Sequence, residues 1–204
     1  LMGGFLVDLK VSRTPKTNSD LKNSNIKRVF LAIQSMGPIL RKDLQEATGL
    51  SWGSISFNIN KLCEMKVIQE IAQEESRVGR KPYSFDINTH DHYIIGIDIQ
   101  KSILRGVATD LKGRTMFSQS VPLTYTDRAS VLQDLYMLIE RVLSQIKNKK
   151  VICIGMAVQG IVSKNNAVSK YFPEFSDWEN VNLKKLVEER FGLTCFIFHD
   201  PDAI

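Results

Sequence analysis

The sequence lacks any apolar run near the ~20 residues that a membrane-spanning helix needs. Its first eight residues have no basic start and already reach an acid at Asp8, so no secretory signal is expected there. Low-complexity tracts are absent too. We therefore expect a globular chain that stays in the cytoplasm and has no membrane partner.

Cysteine is scarce, with three residues in the whole chain. Cys63 falls in a helical pattern, whereas Cys153 and Cys195 fall in apolar, strand-like runs. The count is odd and no pair has CxxC spacing, which argues against a disulfide framework and against a zinc site made from these three. Buried thiols in a reducing compartment are expected instead.

The charge that is present is unevenly placed. The net charge is +5. Residues 1–90 hold 13 Lys/Arg and 9 Asp/Glu, whereas residues 91–204 hold 14 and 13. A length of 204 residues allows two ordinary domains. The excess of positive charge on the smaller segment suits a nucleic-acid-binding module but also occurs on many inert domains.

Three helical patterns follow a segment, residues 1–20, that has no periodicity and is predicted to be a flexible arm. The first helix is expected to begin at Asn23 or Ser24 and to stop at Gly37-Pro38. The second spans 41–48 and ends at Gly49. The third is capped by Ser51. The predicted inward residues are Ile26, Val29, Phe30 and Ile33, then Leu44 and Ala47, then Ile55, Ile59, Leu62 and Met65.

Two strand patterns, 67–72 and 83–87, follow these helices and enclose a basic tip. Three helices and a basic-tipped hairpin predict an α+β winged helix-turn-helix over residues 21–90. Gly49 fits the sharp corner between the second and third helices, because glycine readily takes a positive φ. The alternative is a small α+β domain that binds no DNA.

Residues 91–204 predict an α/β domain with a mixed sheet covered by helices. Strands are expected at 93–99, 104–110, 115–123, 151–158 and 194–198, and helices at 128–146 and 183–191. Pro122 places the third of these strands at a sheet edge. Because the chain stops just after a strand, we expect this domain to be incomplete.

Three motifs together resemble the ROK family, which groups bacterial sugar-responsive repressors with sugar kinases. The first is Gly49-Leu50-Ser51 with its helix, trailed by Gly79-Arg80-Lys81-Pro82-Tyr83. The second is Ile95-Gly96-Ile97-Asp98-Ile99. The third is the segment 154–162, followed by the segments 178–183 and 199–203. The resemblance runs from about Asn23 to the last residue.

The resemblance implies that residues 91–204 form the first lobe of a ribonuclease H-like (actin/hexokinase-like) sugar-binding domain. Family members continue through a cysteine cluster that holds a structural zinc, so zinc is expected only in that missing part and no cofactor in this chain. Family kinases also hold phosphates on a glycine turn after the first strand. Here that turn reads Gln100-Lys101-Ser102, which argues against an enzyme.

Four residues are candidates for holding a sugar, by their match to the family pattern: Gly160, Glu174, His199 and Asp200. Asp200 matches the position of the family's catalytic base, but its neighbours differ from the pattern. Carboxylates could still accept hydrogen bonds from sugar hydroxyls. The alternative is that Asp200, before Pro201, merely caps the next helix.

The third helix is the candidate recognition helix, whose N-terminal residues would face base edges in a major groove. Its proposed contacts are Ser51, Trp52, Ser54 and Asn58, and Asn58 and Asn60 are the candidates for hydrogen bonds to an adenine edge. The aromatic side chains could instead cover the domain's own core. Phosphates would be met by Arg41, Lys42 and Lys61.

The hairpin tip contributes Arg77, Arg80 and Lys81, whose slim, basic shape suits a narrow minor groove. A solvated hairpin tip is the alternative. Together these features predict a transcriptional regulator of the repressor type, a homodimer on double-stranded DNA whose second domain binds a sugar effector. Two rivals remain: a sugar kinase with an N-terminal extension, and a winged helix that contacts only proteins.

Overall fold

The computed structural model describes residues 18–72, 83–124, 127–147, 149–163, 168–172, 175 and 177–199, with the backbone alone at 18–22. The chain divides into two compact units, and the division falls between Asp91 and His92. None of the described helices is long and apolar enough to cross a membrane.

The first unit consists of three helices and a three-stranded antiparallel sheet. In chain order its elements are α1 (Asn18–Met36), β1 (Ile39–Leu40), α2 (Arg41–Thr48), α3 (Trp52–Glu64), β2 (Ile68–Ala72) and β3 (Tyr83–Ile87). The strand order is β1-β3-β2, with Ile39 opposite Phe85 and Ala72 opposite Tyr83. The first helix ends just before Gly37-Pro38, as expected, and α2 has the predicted bounds.

The core of this unit is built from the predicted helical stripes. Val29 and Ile33 of α1 are fully buried, as are Ile55 and Ile59 of α3 and Leu44 of α2. Phe85 and Ile87 of β3 complete this core from the sheet.

β1 was not predicted, and three further details of the first unit differ from the prediction. The first helix begins at Asn18, inside the segment expected to be a flexible arm, since no glycine or proline interrupts residues 18–22. Ala47 is exposed and Thr48 is buried in its place, because Thr48 lies one turn after Leu44. Met65 is about half exposed, because α3 ends at Glu64, before that position.

The second unit is built on a five-stranded mixed sheet of order β11-β7-β4-β5-β6. Its strands are β4 (His92–Ile99), β5 (Ile103–Asp110), β6 (Thr115–Pro122), β7 (Lys150–Val158) and β11 (Cys195–His199). β4, β7 and β11 are parallel, whereas β5 and β6 run antiparallel to their neighbours. The mixed sheet and the edge position of β6 are as predicted.

Two helices cover this sheet. α4 (Arg128–Gln145) lies between β6 and β7 in the chain and packs on β5 and β6. α5 (Leu183–Phe191) connects to β11 and has the predicted bounds. The apolar stripe of α4 is buried against the sheet through Val131, Leu135, Leu138, Ile139 and Val142.

The sequence did not predict a second, small antiparallel sheet. It is formed by β8 (Ile161–Ser163), β9 (Val168–Tyr171) and β10 (Glu179–Val181) in the order β10-β9-β8. These strands are three or four residues long, too short to show a period of two. Their place, between β7 and α5 in the chain, puts them directly after the carboxyl end of β7.

Candidate nucleic-acid interface and ligand site

The corner between α2 and α3 is fixed by several hydrogen bonds. Gly49 has φ +65° and donates its N–H to the carbonyl of Gln45 at 2.8 Å. The Thr48 hydroxyl donates to the Leu44 carbonyl at 2.6 Å, and the Arg28 guanidinium donates to the Thr48 carbonyl. A left-handed residue closing one helix lets the chain turn at once into the next. The axis of α3 is therefore set by α2 and α1.

Ser51 begins α3 as the sequence predicts. Its side-chain oxygen accepts a hydrogen bond from the Ser54 N–H at 3.3 Å, which satisfies one of the free amides of the first turn. The side chains of Trp52 and Phe57 are 52% and 57% exposed, so neither is buried in the core of the unit. Lys61 and Asn60 are also exposed.

Asn58 does not lie on this exposed face. It is buried, and its Nδ2 donates to the Ser54 carbonyl at 2.8 Å and lies 3.4 Å from the Ser54 hydroxyl. The physical reason is its position, three residues after Ile55 and one before Ile59, which turns it toward the buried stripe. The assignment of Asn58 as a base-contacting residue is therefore wrong, and the free amide on this helix belongs to Asn60.

Arg41 is half-buried and links three elements. Its guanidinium donates to the Ser56 hydroxyl at 3.2 Å and lies 5.4 Å from the ring centroid of Phe85 and 5.7 Å from that of Trp52. These contacts fix the guanidinium beside the N-terminal half of α3. Lys42, next to it on α2, is exposed. The two cations predicted to meet phosphates therefore differ: Arg41 is fixed in place and Lys42 is on the surface.

The predicted hairpin tip, with Arg77, Arg80 and Lys81, lies outside the described residues, and its role stays a prediction from the sequence. The flanking strands are described. β2 and β3 pair antiparallel up to Ala72 and Tyr83. Residues 73–82 thus join two adjacent strand ends of the first unit.

The candidate ligand residues of the second unit that are described lie at one edge of the sheet. His199 ends β11 opposite Val158, the last residue of the parallel strand β7, and Gly160 follows two residues later. In open α/β sheets, ligands bind outside the carboxyl ends of the strands. Glu174 and Asp200 lie outside the described residues, so their part in this site stays a prediction.

Gly160 has φ +97°, and a Cβ atom there would collide with the Tyr171 carbonyl oxygen. The close approach of these two backbones joins the end of β7 to β9. Ile161 and Tyr171 pair across β8 and β9, and both side chains are exposed beside Gly160. The backbone at this edge thus requires glycine for two separate reasons.

An aromatic cluster that the sequence reasoning missed supports this edge. Phe172, Phe175 and Trp178 are buried, with the two phenyl rings stacked at 4.2 Å between centroids. The Trp178 indole N–H donates to the hydroxyl of Ser169, on β9, at 2.8 Å. The spacing of three residues between the aromatics was the available signal.

In the turn after β4, the first two amides already donate within the protein. The N–H of Gln100 donates to the Ile103 carbonyl at 3.1 Å, and that of Lys101 donates to Oε1 of Gln159 at 3.3 Å. The Gln100 side chain donates to Oδ2 of Asp98 at 2.8 Å, and Arg105 lies 3.5 Å from the same oxygen. This network occupies the place where the family's kinases have glycines.

The thiols of Cys153 and Cys195 are buried, as expected, whereas Cys63 is only partly so. Burial raises the pKa of Cys153 to about 11 and that of Cys195 to about 12. Among the described residues, no group of three or more His, Cys, Asp or Glu side chains could hold a metal ion.

Comparison with known proteins gives one family match, the ROK family, over residues 94–204. The xylose repressor of Bacillus spizizenii is 29% identical over 185 residues, and the DNA-binding transcriptional dual regulator NagC of Escherichia coli is 28% identical over 186. Each alignment covers 90% of this chain but 48% and 46% of the relative, so the chain spans about half the length of these proteins.

One solved structure is similar over both units. It is a ROK family transcriptional regulator, described as a homologue of the E. coli MLC protein, with a TM-score of 0.74 and 23% identity over 88% of this chain and 46% of that one. A glucokinase from Parabacteroides distasonis is similar over 55% of this chain and 32% of its own, with a TM-score of 0.50 and 18% identity. The mixed sheet thus has the sugar kinase-like fold, which regulators and kinases share.

Proposed function

This chain belongs to the ROK family, and we propose that it is the DNA-binding and first sugar-binding part of a transcriptional repressor of sugar-utilisation genes. The first unit acts as a winged helix-turn-helix, with α3 in the major groove of double-stranded DNA. The second unit holds a sugar effector that sets DNA affinity. The protein binds as a homodimer to a two-fold symmetric operator.

The observation that carries this proposal is the exposed face of α3. A helix whose N-terminus is fixed by a helix-turn-helix corner, and whose outer face presents Trp52, Phe57, Asn60 and Lys61, is suited to contacts with base edges. Apolar side chains pack on thymine methyl groups, and asparagine pairs with adenine. The alignments with named repressors extend over this unit as well as the next.

The sugar kinase alternative is weaker for a physical reason. Phosphoryl transfer in this fold needs backbone amides that point at phosphate oxygens. After β4 those of Gln100 and Lys101 already donate within the protein. The proposed sugar site is the carboxyl edge of β7 and β11, at Gly160 and His199, with Glu174 and Asp200 as its acceptors. Such a site can bind an effector without turning it over.

The DNA proposal is tested by fluorescence anisotropy of the whole chain on labelled duplexes that are first selected from a random pool. Binding should weaken steeply with salt, because lysines on phosphates release counterions. Lys42→Gln should make the negative slope of log affinity against log salt less steep by about one on every sequence. Trp52→Ala should weaken binding to the selected duplex more than binding to a random one.

The matched control is Lys185→Gln, which removes one exposed lysine from α5 in the second unit. It should leave the slope unchanged. Failure of the selection to enrich any sequence, or a salt-independent affinity, would overturn the assignment. A panel of sugars that includes xylose and N-acetylglucosamine then tests the effector, by its change of affinity for the selected duplex.

A further inference from the structure

One edge of the five-stranded sheet in the second unit collects cations. It is the edge at which β4 and β7 begin and β5 ends, since His92 pairs with Lys150 and Tyr93 with Asp110. Lys112 and Arg114 lie in the turn from β5 to β6. Lys147 and Lys149 lie between α4 and β7, and Lys150 is the first residue of β7. We call these five cations, Lys112, Arg114, Lys147, Lys149 and Lys150, the basic edge.

The backbone holds these cations in place. The N–H groups of Lys112 and Arg114 both donate to Oδ1 of Asp110, at 2.8 and 3.0 Å. The Lys149 N–H donates to the Ile146 carbonyl at 3.1 Å, and its ammonium group lies 6.0 Å from the ring centroid of Tyr93. The turn from Asp110 to Arg114 and the backbone of Lys149 are therefore held by hydrogen bonds.

Negative charge at the basic edge is sparse among the described residues. Asp110 is only 2% exposed and is used by the turn that it stabilises. Asp91 is exposed and accepts a hydrogen bond from Asn88 at 2.8 Å. Glu140, nearby on α4, pairs with Arg190 at 2.9 Å. Four of the five cations, by contrast, are exposed, and Lys112 is half-buried.

We propose that the basic edge is a second DNA-contacting surface, which binds the phosphate backbone without reading sequence. The strands that carry it span two strand spacings, about 10 Å. Duplex DNA presents one negative charge per about 1.7 Å of its axis, so several phosphates can meet these cations together. This inference rests on the proposed DNA-binding function. β4 begins at this edge, and four residues separate it from the end of β3.

The test compares two triple variants of the full chain on the same selected duplex. R114Q/K147Q/K150Q removes three cations of the basic edge and spares Lys149, which contacts Tyr93. R128Q/K170Q/K185Q removes three exposed cations from elsewhere in the unit and gives the same change of net charge. Thermal unfolding of both variants establishes that they fold.

The basic-edge variant should lower the salt slope by about two to three, close to 0.9 per lost phosphate contact. Its loss of affinity should be equal on selected and random duplexes. The control variant should retain the wild-type slope. If wild type binds DNA with salt dependence and the two variants share its slope, the basic edge does not touch DNA, and the function proposed for α3 still stands. If wild type binds no DNA, both proposals fall.

Discussion

At the scale of single residues, Gly160 combines an unusual backbone conformation with a close contact. Its φ of +97° is one that L side chains rarely adopt, and its Cα faces the Tyr171 carbonyl. Gly160→Ala should therefore lower the free energy of unfolding of the second unit by about 1–3 kcal/mol. Urea unfolding measures this through Trp178 fluorescence in a Trp52→Phe background, because these are the only two tryptophans.

Gly155→Ala is the matched control. Gly155 lies on β7, the strand that ends two residues before Gly160, has an ordinary φ and has nothing within 4 Å of an added Cβ. It should change stability by about 0.5 kcal/mol or less. Equal losses in the two variants would contradict the special conformation assigned to Gly160.

The buried thiols predict a dependence of stability on alkaline pH. Burial raises the pKa of Cys153 from 9.0 to about 11 and that of Cys195 to about 12. In the unfolded chain these thiols ionise first, so the stability they contribute is fully present below pH 9.0 and is lost as pH rises towards their folded values. At about pH 8 a thiol reagent should label at most Cys63 quickly in the native protein, and all three cysteines after denaturation.

A variant identifies the source of the alkaline effect. Between about pH 8 and about pH 10, the urea midpoint of wild type should fall further than that of Cys195→Ala, which has one such thiol fewer. Identical falls would mean that other groups dominate. Rapid native labelling of all three thiols would contradict the burial of Cys153 and Cys195.

At the scale of elements, the sequence predicts best where a chemical stop signal and a periodic stripe coincide. The bounds of α2 and α5 are as predicted, because Gly49 and Gly192 end them with φ of +65° and +64°. β1 has two residues and β8 to β10 have three or four, too few to show a period. β1 also pairs with β3, more than forty residues later in the chain, so only a tertiary contact defines it.

In the candidate interface, too, the local sequence pattern predicts some side-chain positions, and tertiary packing decides the others. The inward stripe of α3 could be predicted from the spacing of Ile55, Ile59 and Leu62. The side chains at its margins could not, because a polar residue there either faces water or bonds to its own helix. Asn58 donates to Ser54 of its own helix, whereas Arg41 of α2 donates to Ser56 of α3.

At the scale of the whole molecule, the two units match the two tasks of the regulator proposed above, DNA binding and effector binding. The similarity to a ROK regulator covers 88% of this chain, whereas the similarity to a glucokinase covers 55%. The α/β fold alone therefore does not separate a sensor from an enzyme. The turn after β4 is where the two differ chemically.

From the chemistry of that turn we predict that this chain transfers no phosphoryl group to a sugar. The amides of Gln100 and Lys101 are already used, by Ile103 and Gln159, and their side chains lie where glycines would admit a phosphate. Gln100→Gly with Lys101→Gly frees the space. It should still give no activity, since the part of this chain that resembles the glucokinase matches only 32% of that enzyme. The test incubates the protein with ATP and several hexoses and compares the sugar phosphate formed with that in a no-protein control.

Sugar phosphate above that control from the wild-type chain would overturn the assignment as a regulator without kinase activity. Its appearance only in the double variant would show that the turn alone had blocked the reaction.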